Sequence, residues 1–156
     1  MAVETYRIAA EHAATGWEDF ASAQLSFRYL MALALKFGAI RFEYFGDEMR
    51  RDPALAALAQ IFHISAPAEI DRLYPQLRPA RVTVMTGSGK FTRQADEALG
   101  SRLLPLDDAG LKAKFNDLVE PVHGAAKTAT LTEQLWNIEQ LVNVSTLVEA
   151  LAKPAP

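Results

Sequence analysis

Ala23-Gln24-Leu25-Ser26-Phe27-Arg28-Tyr29 runs into the apolar stretch Leu30 to Phe37 and stops at Gly38. Leu25, Tyr29, Leu33 and Phe37 recur every four residues, and Leu30 and Ala34 fill the same stripe. That spacing predicts one amphipathic helix packed against a core. Asp19 or Ser22 is placed to cap its start, and Gly38 to end it. Ser26 and Tyr29 then stand at i and i+3 near the front of the helix. A phenol held in place by a packed helix can give or take a proton, provided neighbours lower the cost of its charge change. The sequence identifies no such neighbours. On pattern alone, a tyrosine at the edge of a core with its hydroxyl satisfied is the simpler reading.

Outward from this helix the elements are mixed. Val3 to Ile8, rich in β-branched and aromatic residues, predicts a strand beginning at the first residues. A domain rarely opens inside a strand, so the chain is expected to be the back part of something larger. A short helical turn is expected around Asp47 to Arg51. Asp52-Pro53 starts a second helix to Gln60, with Asp as cap and Pro in the first turn, burying Leu55, Leu58 and Ala59. Ile61 to Ser65 reads as a short strand. Arg81 to Thr86 and Lys90 to Asp96 flank Gly87-Ser88-Gly89, a hairpin with a three-residue turn. Leu99 to Pro105 is irregular. Asp107 caps a helix that should end near Val119, before Pro121, with Leu111, Phe115 and Leu118 as its apolar face. Further helices are expected from about Ala125 to Gln140 and from Ser145 to Leu151.

Helices, then strands, then helices is an α+β order. The expectation is a small, mostly antiparallel sheet with a β-hairpin, packed against several helices. It forms a single domain over 1–152, followed by a flexible tail at 153–156.

The totals fit that picture and exclude some functions. The 156 residues suit one domain, and the hydrophobic half and 22% charge are ordinary for a globular protein. A net charge of −3 argues against nucleic acid, whose phosphates need a clustered basic excess. Without cysteine there is no disulfide, thiolate chemistry or Cys-based metal site. Met1 to Ala10 carries Glu4 and no apolar core of a signal peptide, and Lys36 interrupts the longest apolar run. A soluble, cytoplasmic protein without membrane contact is expected.

Other motifs have plainer explanations. Gly87-Ser88-Gly89-Lys90 looks like the end of a phosphate-binding loop, but Val84 stands where the first Gly belongs and Phe91 where a magnesium-binding hydroxyl belongs. Turn glycines explain it. His12, His63 and His123 lack a zinc-type spacing, so no metal is expected. Arg72, Arg78, Arg81, Lys90 and Arg93 make a locally basic segment offset by Glu69 and Asp71. A solvated surface is the simpler reading, and a positive rim for a polycarboxylate the alternative. Trp136 and Phe115 are expected in the core.

Several of these segments, in order, resemble the C-terminal part of the MmgE/PrpD family of 2-methylcitrate dehydratases and cis-aconitate decarboxylases. Val3-Glu4-Thr5-Tyr6 resembles the strand entering the family's second domain. Ala23 to Tyr29 resembles its Ala-x-Phe-Ser-x-x-Tyr helix, and Asp52-Pro53-Ala54-Leu55 the capped helix after it. Leu73-Tyr74-Pro75 with Arg78 to Val84 resembles the approach to its hairpin. Pro105-Leu106-Asp107 and Leu111-Lys112-Ala113-Lys114-Phe115 resemble its Asn-Pro-Leu-Ser and Lys-Phe helix, with Leu104 where the family usually has Asn.

The resemblance implies a lid domain that closes over a separate helical domain in a homodimer. It implies cofactor-free elimination, decarboxylation or epimerisation of small polycarboxylates, as in propionate catabolism. Tyr29 then corresponds to the lid's active-site tyrosine, with Ser26 close by for substrate. The family's other catalytic residues belong to sequence preceding this chain. Proton abstraction beside a carboxylate needs a base and preorganised groups at the developing charge. The chain alone is therefore expected to be inactive. Two alternatives stand beside this reading: a freestanding dimerisation or small-molecule-binding module that has lost catalysis, and an unrelated α+β sensor.

Overall fold

A computed structural model describes residues 1–152. The tail expected at 153–156 lies outside the described residues. The chain divides into two compact units, Met1–Leu104 and Pro105–Pro156.

The first unit opens with β1 (Ala2–Thr5) and α1 (Arg7–Glu11), then α2 (Phe20–Leu25), α3 (Phe27–Phe37), α4 (Asp47–Arg50) and α5 (Pro53–Ala59). It continues with β2 (His63–Ser65), α6 (Ala68–Asp71), β3 (Ala80–Thr86) and β4 (Gly89–Ala95). The strand expected over Val3 to Ile8 stops at Thr5. Arg7 already begins a helix, and its N–H donates to Asp71 Oδ1 at 2.8 Å.

The four strands lie in the order β2-β1-β3-β4. The sheet is mixed, which corrects the expectation of a mostly antiparallel one. β1 runs parallel to β2, with Val3 beside Ile64, and antiparallel to β3, with Val3 opposite Val82. The cause is the connection: the helices between β1 and β2 return the chain in its original direction, which a tight turn cannot do. The hairpin holds, but Thr86 pairs with Gly89, leaving Gly87-Ser88 as a two-residue turn. Gly89 has φ 141°, a value that favours glycine, and so serves as a strand residue. β4 forms one end of the strand order and is exposed along its whole length.

α3 is shorter than the sequence suggests. Asp19 is the cap, accepting from Ser22 N–H at 2.8 Å while Ser22 Oγ accepts from Asp19 N–H at 3.2 Å. The helix it starts ends at Leu25, because Ser26 is extended (φ −72°, ψ 103°) and begins α3 as a separate helix. The kink re-aims the stripe. Tyr29, Ala32 and Leu33 are fully buried, whereas Leu25 and Phe37 are exposed. Gly38 ends α3 in the left-handed region (φ 71°), as its position predicts. α5 starts as expected, with Asp52 Oδ1 accepting from Ala54 N–H at 2.8 Å. Val3, Leu33, Leu55, Ala59 and Phe62 meet in one core between the sheet and these helices. Each fully buried leucine contributes roughly 1.5–3 kcal/mol.

The second unit holds α7 (Asp108–His123), α8 (Ala125–Trp136) and α9 (Ser145–Leu151), giving nine α-helices among the described residues. Asp107 caps α7 by accepting from Gly110 N–H at 2.7 Å. Contrary to expectation, α7 continues through Pro121 and ends at Gly124 (φ 76°). Proline removes one backbone donor, and near a helix end little of the ladder remains to be lost. Leu111 and Leu118 are exposed and Phe115 is half-buried, so α7 buries no residue fully. Trp136 is half-buried, its Nε1–H 3.4 Å from Asp108 Oδ2 and its ring under Lys112 Nζ at 4.7 Å. Thr128, Leu131 and Leu147 are the buried residues of this unit. Among the described residues no helix is long and apolar enough to cross a membrane.

Candidate functional site

Tyr29 and Ser26 both point into the first unit. The helix break at Ser26 leaves its hydroxyl without a capping role, and it donates instead to Thr15 O at 2.8 Å. Three residues on, the Tyr29 hydroxyl donates to Tyr44 O at 2.6 Å, and Ser26 and Tyr29 have no exposed surface. Burial raises the Tyr29 pKa above the ordinary phenol value. The positive charge of Arg50 opposes that rise and the negative charge of Asp52 adds to it. A proton on this phenol is therefore held firmly, so in the described geometry it acts as a hydrogen-bond donor.

Arg28, between them in sequence, is a strut. Its guanidinium donates to Ala13 O at 3.2 Å, Ala59 O at 3.1 Å and Phe62 O at 2.7 Å. It thereby joins the start of α3 to the end of α5 and to the residue before β2. A planar fork of donors suits three fixed carbonyl oxygens, which a single ammonium does not match.

An open surface is connected to Tyr29 through Trp17, a residue the sequence reading missed. Trp17 stacks over the Tyr29 ring at 5.8 Å between centroids, and Phe45 meets it edge-on at 6.3 Å. Trp17 also lines a hollow of about 270 Å³ together with Glu18, Arg50 and Arg51. Arg50 is fixed on three sides: Nε donates to Phe45 O at 3.0 Å, and its two terminal nitrogens reach Glu18 O and Asp47 Oδ1. Arg51 projects into solvent, with Asp47 Oδ2 at 3.4 Å. The hollow thus sets an anchored Arg50, its nitrogens already engaged, and an exposed Arg51 against an indole wall, and Arg51 is the guanidinium able to meet a carboxylate there. No spacing in the sequence links Trp17 to Tyr29 or Arg50; only the fold does so.

The remaining candidates separate. His63 is exposed on β2, as expected for its place in a strand. Among the described residues no group of three His, Cys, Asp or Glu is placed to hold a metal. Arg81, from the basic segment, is an internal brace. Its Nε donates to Glu4 Oε2 at 2.6 Å and its Nη2 to Glu69 Oε1 at 3.2 Å, which lowers the Glu4 pKa and raises that of Arg81. Gly87-Ser88 is the turn of the hairpin, so the phosphate-loop likeness ends there.

Residues 2–138 match the family model of the MmgE/PrpD C-terminal domain. No curated protein matches the chain.

Proposed function

The chain belongs to the MmgE/PrpD family by that C-terminal domain, and we propose on this premise that it forms the lid portion of a 2-methylcitrate dehydratase-like enzyme. The enzyme would carry out cofactor-free elimination, decarboxylation or epimerisation on a small polycarboxylate, with the helical domain supplied as a partner in a dimeric assembly. The family match carries the reading. The Trp17–Arg51 hollow supports it, because the exposed Arg51 guanidinium suits a carboxylate beside the indole that stacks on Tyr29.

On this reading the isolated chain is inactive for a physical reason. The phenol of Tyr29 is tied to Tyr44 O beneath Trp17 and cannot reach a substrate until the segment around Tyr44 yields. Docking of the partner domain is the event that would free it, with Tyr29 then carrying a proton and Ser26 fixing the start of its helix beside substrate. Co-expression with a helical family domain should give a complex that dehydrates 2-methylcitrate or decarboxylates cis-aconitate. Loss of that activity in Tyr29→Phe, with the complex still formed, supports the role. Full activity in Tyr29→Phe removes it.

One observation favours the second reading, a binding module without catalysis: both candidate hydroxyls already have backbone partners. A chain that forms no complex with the helical domain but pairs with itself in size-exclusion with light scattering would favour that alternative.

A further inference from the structure

A second hollow, of about 250 Å³, lies behind the loop after β4, lined by Pro75, Gln76, Arg78, Glu97, Ser101 and Arg102 among others. Its volume is below the roughly 300–1,000 Å³ of pockets for drug-sized ligands, so it suits a small metabolite. The loop is shaped by its own backbone. Gly100 takes φ 90°, its N–H donates to Leu104 O at 2.7 Å, and Ser101 N–H donates to Ala98 O at 3.1 Å. The other wall is held to the sheet end, where Arg78 N–H donates to Asp96 O at 3.1 Å.

The charged groups of this hollow are unsatisfied in a complementary way. Among the described residues neither the Arg78 nor the Arg102 guanidinium has a hydrogen bond or an ion pair. Glu97 Oε2 is buried and lacks a hydrogen-bond partner among the same residues. Ser101 Oγ accepts from Leu104 N–H at 3.2 Å, which leaves its own proton free to donate. Two open guanidinium forks call for a carboxylate, which they match with paired N–H donors. A bare anion would meet Glu97 and be repelled by it. A ligand that also carries an O–H or N–H group would supply the donor that Glu97 Oε2 lacks.

We propose that this hollow binds a small carboxylate bearing its own hydrogen-bond donor, a hydroxyl or an ammonium. Arg78 and Arg102 hold the carboxylate, Ser101 donates to it, and Glu97 accepts from the ligand's donor. The site shares no residue with the Trp17–Arg51 hollow and does not depend on lyase chemistry.

Titration of the 156-residue chain, followed by backbone NMR, tests the assignment with L-malate, L-aspartate, succinate and sulfate as probes. L-malate or L-aspartate should saturably shift the amides of residues 97–103 and bind at least about tenfold more tightly than succinate, which lacks the donor. Preference for malate identifies the hydroxyl as the recognised group, and preference for aspartate the ammonium. Arg102→Gln and Arg78→Gln, both at exposed positions, should weaken binding by a similar factor without changing the melting temperature. Glu97→Leu, which removes the acceptor, should abolish the preference over succinate. Equal binding of succinate and sulfate, no saturable shift with malate or aspartate, or unchanged affinity in Arg102→Gln overturns the proposal.

Discussion

The Tyr29 hydroxyl reaches across fifteen residues of sequence to donate to the carbonyl oxygen of Tyr44 at 2.6 Å. This bond fastens the first turn of α3 to the turn before α4. It also fixes which proton the phenol can give, and to what.

Tyr29→Phe keeps the ring stack with Trp17 and Phe45 and deletes only the donor. Removing one partner of a buried hydrogen bond leaves Tyr44 O unsatisfied, so the chain should lose about 1–2 kcal/mol. Urea denaturation with an unchanged m-value checks this. An unchanged midpoint would mean that the hydroxyl is not held as described.

Arg28→Lys should be more damaging than a surface arginine replacement, because three carbonyl oxygens lose a shared fork of donors. Hydrogen bonds from a charged donor are worth about 1.5–3 kcal/mol each, and one ammonium recovers only part of the set. A loss of about 2–4 kcal/mol in the same denaturation experiment is expected.

Gly38→Ala tests backbone conformation in isolation. A Cβ there meets nothing within 4 Å, yet the residue sits at φ 71°. The left-handed backbone should cost about 1–2 kcal/mol. A neutral result would show that α3 ends differently in solution.

Asp52 carries a pH signature. The Lys36 ammonium, 2.5 Å from Asp52 Oδ2, lowers its folded pKa below the ordinary carboxylate value, and the Ala54 N–H helps. With a lowered folded pKa, the stabilisation is present above the unfolded value of about 3.9 and fades as pH falls through the folded one. Asp52→Asn keeps the cap and removes the charge. The melting-temperature gap between the two proteins should therefore be open at neutral pH, begin to narrow below about pH 4 and close once pH lies below the lowered folded value. A gap independent of pH would contradict the pairing.

Much of the secondary structure is legible in the sequence because its signals are local. Asp52-Pro53, Gly38, Asp107 and the Gly87-Ser88 turn each specify a backbone state through their own chemistry. The sheet's parallel pair escapes such reading, since β1 and β2 meet across about sixty residues. The break at Ser26 also escapes it: alternation of apolar residues continues through the kink, and only the Thr15 carbonyl reveals why the serine departs from the helix. Of the candidate site, Ser26 and Tyr29 could be singled out as hydroxyls on a packed segment. Arg78 is visible only as one member of a basic segment, and Trp17, Arg50 and the pairing of Arg78 with Arg102 could not be found, because each gains meaning from neighbours distant in the chain.

At the far end of the sheet order, the outer backbone groups of β4 are a template on which any extended chain could build. Lys90 and Arg93 stand on that rim, so two copies meeting there bring cation against cation. Such placement turns a surface prone to fibrous stacking into one that keeps molecules apart.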